Sequence, residues 1–248
     1  MKSFLILLFS VCFFFGHAQK DKSTQKPAPT QPQQQVQAPT QQQPQVSGIT
    51  QHYLRKYSLA AQWNDFEVAK DALYDLIIEN PANDSLLITL AYYYYENRQY
   101  ASTLLISQEL ISRNPKDMNT LEMAAVSAEG LGVRDKALQY YETLYLQGNN
   151  VGTLYKVAFL QYDLKRFKES SANADILLSK PDIATQKVYF NDAENKPKEF
   201  IMKVAVLNLK GMLLQEEGDK VGAKKQFEQA LALGPDFIPA KENLAKLK

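Results

Sequence analysis

Residues 207–235 read LNLKGMLLQEEGDKVGAKKQFEQALALGP. Leu207, Gly211 and Leu214 stand at i, i+4 and i+7, a spacing that gathers side chains on one face of a helix. Gly218-Asp219 interrupts the pattern, and Ala223, Phe227 and Ala230 then repeat it until Pro235. Proline has no N–H for a helix ladder, so it ends the second stripe and turns the chain. The stretch predicts two short amphipathic helices joined by a tight turn. Such a pair cannot bury its apolar stripe alone and needs neighbours of its own kind.

Those neighbours are visible upstream. Positions where one helix needs a small residue for another to approach run Tyr57, Ala91, Ala125, Ala158 and Gly211, with only the first bulky. A second series, at the start of each following helix, runs Ala69, Thr103, Ala137, Ser170 and Ala223. Both series advance by 34, 34, 33 and 53 residues, so they stay in phase even where the step is irregular. Pro81 and Pro115 close the first two units as Pro235 closes the last. Strand-like alternation is almost absent from the body, which predicts an all-α fold.

The pattern resembles the tetratricopeptide repeat family, whose 34-residue unit is written W-x2-L-G-x2-Y, A-x3-F, A and P. The last unit carries the fullest match, on Leu207, Gly211, Leu214, Ala223, Phe227, Ala230 and Pro235. The second unit offers Leu87, Leu90, Ala91, Tyr94 and Thr103, and the third Leu121, Ala124, Ala125, Ala128, Gly132, Ala137, Tyr141 and Leu144. The fourth has Leu154, Val157, Ala158, Phe167 and Ser170, but Gln161 at the usual aromatic position. The first departs furthest, with Lys56-Tyr57 where Leu-Gly is expected. The resemblance implies an all-α, right-handed α-solenoid of about five helix pairs over residues 50–248. Residues 238–248, with Ala240, Leu244 and Leu247 on one face, read as a capping helix. The 53-residue step holds about 19 extra residues, near 183–200. There Val188-Tyr189-Phe190 is strand-like and Asn191-Asp192 turn-like, so a projecting hairpin or ordered loop is expected, with an extra helical half-unit as the alternative.

The N-terminal region differs from the body. Residues 1–18 read as a secretory signal: Lys2, an apolar run over 4–15, and small residues at Gly16 and Ala18 before a cut at Gln19. The run is too short to span a bilayer, which takes about 20 residues. Cys12 lacks the preceding sequence that lipidation would need. Residues 19–47 hold eleven glutamines and five prolines and no aliphatic side chain larger than Val, so they read as a disordered, semi-stiff tether. An exported protein, periplasmic or secreted, is expected.

Lys and Arg total 28 against 27 Asp and Glu, and removing Lys2 with the leader leaves 27 of each. This balance excludes the basic footprint of a nucleic-acid binder. The one cysteine and one of the two histidines, Cys12 and His17, lie in the leader, leaving His52 alone. Disulfides, thiolate metal sites and cysteine nucleophiles are thereby ruled out for the body. There is no G-x-S-x-G, H-E-x-x-H, phosphate loop or calcium loop. No enzyme, cofactor or metal is expected.

Binding is what the resemblance implies. The family's ligand-facing positions fall here on Ile88, Tyr92, Tyr95 and Glu96 in the second unit, and on Asn119, Glu122, Val126 and Glu129 in the third. In the fourth they are Tyr155, Phe159, Tyr162 and Asp163, and in the fifth Asn208, Met212 and Gln215. This is an aromatic face with an acidic minority. The Lys, Asn and Arg set that grips a chaperone's terminal carboxylate is missing, since Leu54, Ser58, Ile88 and Tyr92 stand there. The expected partner is another protein, offering a neutral to basic extended peptide or helix to the concave groove of an envelope scaffold. The alternative is an accessory subunit of a secretion or outer-membrane assembly machine, touching it through convex faces and the insertion. The oligomeric state stays open, and neither nucleic acid nor stable membrane insertion is expected.

Overall fold

The computed structural model describes residues 47–247. The expected leader and all of the Gln/Pro-rich segment except Ser47 lie outside them, as does Lys248. Ser47 itself caps the first helix by accepting from the Thr50 N–H. The chain forms consecutive antiparallel pairs: α1 (Gly48–Gln62) with α2 (Phe66–Glu79), α3 (Asp84–Glu96) with α4 (Tyr100–Arg113), and α5 (Met118–Gly130) with α6 (Arg134–Gly148). Next come α7 (Val151–Asp163) with α8 (Phe167–Ser179), then α9 (Met202–Glu216) with α10 (Lys220–Leu233), and a final helix α11 (Ile238–Lys246). Each helix packs chiefly on its sequence neighbours, which is the arrangement of an all-α solenoid. None of the described helices is long and apolar enough to cross a membrane.

One turn builds all five pairs. Asn64, Arg98, Gly132, Lys165 and Gly218 each have a positive φ, between +55° and +85°. Their positions also step by 34, 34, 33 and 53. The residue after each sends its N–H back to a carbonyl five positions earlier, at 2.8–2.9 Å: Asp65 to Ala60, Gln99 to Tyr94, Val133 to Ala128, Arg166 to Gln161 and Asp219 to Leu214. This is the Schellman closure, which satisfies carbonyls that the helix end would leave orphaned. At Asp65 and Asp219 the same residue caps the next helix, accepting from the N–H of Val68 and of Gly222.

The two ladders of small residues meet directly in the fourth pair. The Ser170 hydroxyl, fully buried, donates to the Ala158 carbonyl at 2.7 Å. At Gly211 a Cβ would stand 2.4 Å from Cε1 of the fully buried Phe227 ring. Gln161, the polar residue at an aromatic position, is also buried but satisfied. Its amide donates to Glu142 Oε1 at 3.1 Å and its carbonyl accepts from Asn173 Nδ2 at 2.8 Å. The core is accordingly a chain of clusters. One joins Ala91, Leu110 and Met123, the next runs from Leu104 to Leu160, and two more share α9.

The irregular step contains a 3-10 turn (Pro181–Ala184) and an antiparallel hairpin, β1 (Lys187–Asn191) with β2 (Pro197–Ile201). Asp192 makes the reversal by accepting from the N–H groups of Glu194 and Lys196 at 2.9 Å, while Asn195 takes a left-handed φ of +60°. Asparagine tolerates that conformation, and three-residue loops use it to match strand twist. The hairpin does not project. Phe200 is buried, and the rings of Phe190 and Phe200 meet Phe237 edge-on at 4.8 and 5.0 Å. Lys198 pairs with Asp236 in the α10–α11 connection. Alternation along β1 explains the docking: Val188 and Phe190 face the core while Tyr189 faces out.

Gly211→Ala overpacks a contact that has no room to yield, so it should destabilise the array by about 1–3 kcal/mol, read by thermal or urea unfolding. Conversely, Arg98→Gly and Lys165→Gly relieve a left-handed backbone that costs an L-residue about 1–2 kcal/mol, against roughly 0.5–1 kcal/mol of glycine entropy. Each should leave stability unchanged or raise it by up to about 1.5 kcal/mol in the same assay.

Candidate functional site

Helix α3 carries four successive tyrosines, which its 3.6-residue turn sends in different directions. Two of them tie α2 to α3. The Tyr93 hydroxyl donates to Glu67 Oε1 at 2.8 Å, and Lys70 Nζ lies 5.2 Å from the Tyr93 ring centroid. Tyr94 and Tyr74 share a 2.7 Å hydroxyl–hydroxyl bond; burial first, then that bond, pushes the Tyr94 phenol up to about 12. The other two turn to the open side. Tyr92 is 42 % exposed, whereas Tyr95 is half-buried and packs with Ile88 against Ala91, Leu110 and Met123.

Beside them stand Glu96 at the end of α3 and Asn119 and Glu122 on α5, all exposed. Burial raises the Tyr95 phenol above its ordinary value, and the neighbouring carboxylate of Glu122 raises it further, with Glu96 and Tyr92 contributing. Neither Glu96 nor Glu122 has an ion-pair partner among the described residues. The result is an acid–aromatic surface with two uncompensated charges.

Two turns further along α5 the charge is compensated. Glu129 accepts from the Tyr141 hydroxyl at 2.8 Å and from Lys156 Nζ of α7 at 2.8 Å. It therefore latches α5, α6 and α7 together, and Val126 below it packs on the core. Burial, then the Glu129 charge, drives the Tyr141 phenol up, and Glu122 adds to the same effect.

On α7 the inner face is partly covered by the chain itself. The rings of Tyr155 and Phe159 lie 4.5 Å apart and, with Val188 of β1, pack on the same buried clusters. Between α7 and β1 remains a cleft of about 610 Å³, lined by Glu129, Tyr155, Phe159, Asp163 and residues 186–190, among others. Burial dominates the upward shift of the Tyr155 phenol, followed by the charge of Glu129. Tyr162 is set apart, its ring 5.4 Å from Phe167 and its hydroxyl donating to Glu216 at 3.5 Å.

The fifth unit corrects the reading from sequence. Asn208 is only 4 % exposed, because α11 packs over this end of the array. Asn243 Nδ2 donates to its carbonyl oxygen at 3.0 Å, and its own amide points to the half-buried Met212 sulfur at 3.4 Å. Asn208 thus anchors the cap and offers nothing to a ligand. The structure brings together Tyr92, Tyr95, Glu96, Asn119 and Glu122, places Tyr155 and Phe159 under the hairpin, and withdraws Asn208. Sequence reasoning missed Lys156 and the β1 wall. The run Val188-Tyr189-Phe190 signalled a strand but not where it would dock. Among the described residues no group of three His, Cys, Asp or Glu side chains could hold a metal ion.

Burial of these phenols has a measurable consequence. Their folded values are raised, so the stability they contribute is complete below an unfolded tyrosine value of about 10 and is lost as pH rises past it. Unfolding should therefore set in above about pH 10, with the phenolate absorbance of Tyr94, Tyr141 and Tyr155 appearing together with the loss of helical circular dichroism.

No family model matches the sequence, and no curated protein matches it. Solved structures do. A tetratricopeptide repeat protein from Parabacteroides merdae is similar with a TM-score of 0.57 at 18 % identity, covering 81 % of this chain and 73 % of that one. YrrB, described as a TPR protein with an unusual peptide-binding site, matches with a TM-score of 0.59 at 10 % identity, over 77 % of this chain and 89 % of that one. MamA matches with a TM-score of 0.54 at 13 % identity, over 80 % of this chain and 94 % of that one. At such identities the likeness speaks for architecture: the chain folds as a tetratricopeptide-repeat solenoid.

Proposed function

We propose that this protein is a non-catalytic interaction scaffold of the cell envelope that holds a basic extended segment or helix of a partner protein against the open face of α3 and α5. The observation that carries the reading is the pair of unpartnered carboxylates, Glu96 and Glu122, flanking Tyr92 and Tyr95. Most acids farther along the array, Glu129, Asp163, Asp175 and Asp236 among them, already have cationic partners. An exposed tyrosine offers large contact area at low entropic cost and keeps a hydroxyl for polar groups. Complementary charge speeds encounter and rejects acidic competitors. That an array of this fold, YrrB, is described as having a peptide-binding site supports the same use here. The leader read over residues 1–18 supports export, with the Gln/Pro-rich segment as the spacer between body and anchorage.

Crosslinking in the native cell from a photoreactive residue at Tyr92 identifies the partner. With that partner purified, Tyr92→Ala combined with Glu122→Lys should weaken binding at least about tenfold without loss of helical content. Unchanged affinity would remove the groove assignment.

A further inference from the structure

The hairpin does more than narrow the open face. Its register fixes which backbone groups are spent. The Met202 N–H donates to the Gln186 carbonyl at 2.8 Å at one end, and the Asp192 N–H to the Lys196 carbonyl at 2.8 Å at the other. Antiparallel ladders alternate bonded and non-bonded pairs. Val188↔Phe200 and Phe190↔Lys198 are therefore the bonded pairs between those ends. The N–H and C=O groups of Lys187, Tyr189 and Asn191 consequently point away from β2. No other described segment bonds to them.

That edge borders the cleft. Residues 186–190 all line it, although their side chains alternate in direction, and β2 contributes none. Consecutive residues can share one cavity in this way when the strand's edge, rather than one of its faces, adjoins it. The opposite wall is aromatic, from Tyr155 and Phe159. At the α5 end stands Glu129, already neutralised by Lys156; beyond it the Tyr141 hydroxyl leads to Glu122, and Glu122 to Tyr95 and Glu96. Glu122 stands on the same face of α5 as Glu129, seven residues earlier, so the cleft and the uncompensated carboxylates lie along one side of the array.

Resting on the scaffold reading above, we propose that the partner binds as an extended β-strand added to the free edge of β1, with apolar side chains entering the cleft against Tyr155 and Phe159 and a Lys or Arg reaching Glu122 and Glu96. Strand addition draws affinity from main-chain bonds and specificity from alternate side chains, which suits a site with an unpaired edge beside an aromatic cavity. The charge that remains selects a basic segment over an acidic one.

The test uses peptides selected on the immobilised protein from a randomised twelve-residue display library, synthesised and titrated against the full chain. Selected peptides should alternate apolar residues and carry Lys or Arg near one end. On binding, the Lys187, Tyr189 and Asn191 amides should gain protection from hydrogen exchange. Tyr189→Pro removes an outward N–H without touching the β1–β2 ladder and should lower affinity about tenfold or more, while Tyr189→Thr should not. Should Tyr189→Pro perturb the fold, N-methylation of alternate peptide amides makes the same cut from the other side. Binding that survives both, or helix-forming peptides, would overturn strand addition. In that event a loss on Glu122→Lys still upholds the scaffold reading, and no loss ends both. A concentration-dependent dimer abolished by Tyr189→Pro would instead place a second copy on the edge, and tighter peptide binding after deletion of residues 19–46 would place this chain's own segment there; either outcome overturns the proposal.

Discussion

Everything in this molecule depends on how closely the second helix of each pair can approach the first. At Gly211 the Phe227 ring occupies the space where a Cβ would be, and at Ala158 a buried serine hydroxyl reaches the backbone carbonyl directly. Contacts this short set the pair geometry, and the pair geometry sets where the next pair begins. No unit has a core of its own, so the clusters lie end to end and each leans on its neighbour. The constraint is weakest at the N-terminal pair. There Tyr57 stands in the small-residue ladder, and Ile49 and Leu59 on α1 and Trp63 at its C-cap remain exposed. Among the described residues that pair has a neighbour on one side only, so it has the least to lose by opening and is the natural place for unfolding to begin.

Much of this was legible in the sequence because the ladders are made of residues whose size is the message. Ala, Ser, Thr and Gly at a fixed phase announce close contact before any coordinate is known. The turn ladder was hidden for the complementary reason. Its left-handed backbone is required in every unit, yet only Gly132, Gly218 and, more weakly, Asn64 advertise it, while Arg98 and Lys165 adopt the same conformation without the expected residue. Gln161 looked like a flaw in the fourth unit. Its two hydrogen bonds, to Glu142 and Asn173, depend on partners on other helices that no local pattern encodes.

The candidate site divides along the same line. Which residues point to the open side of helices α3 and α5 follows from helical phase, and Tyr92, Glu96, Asn119 and Glu122 are exposed there. Which of the remaining positions stay open depends on long-range packing. Asn208 is closed by a cap helix 35 residues away, and Tyr155 and Phe159 by a hairpin inserted between units. A repeat register treats such additions as interruptions, whereas physically they decide where the groove stops.

The hairpin and the cap also explain why the charge is where it is. The inner-face acids that border the hairpin cleft are balanced: Glu129 by Lys156, Asp163 by Arg134. Glu129 sits among three helices, and a carboxylate that loses part of its water there needs partners to offset its desolvation. Helices α3 and α5 have no such cover on their open face, so Glu96 and Glu122 stay hydrated and can remain unpaired at little cost to stability. The same exposure makes them useful. A hydrated carboxylate next to an exposed aromatic loses solvation only when something binds, and a cation is the group that best compensates for that loss.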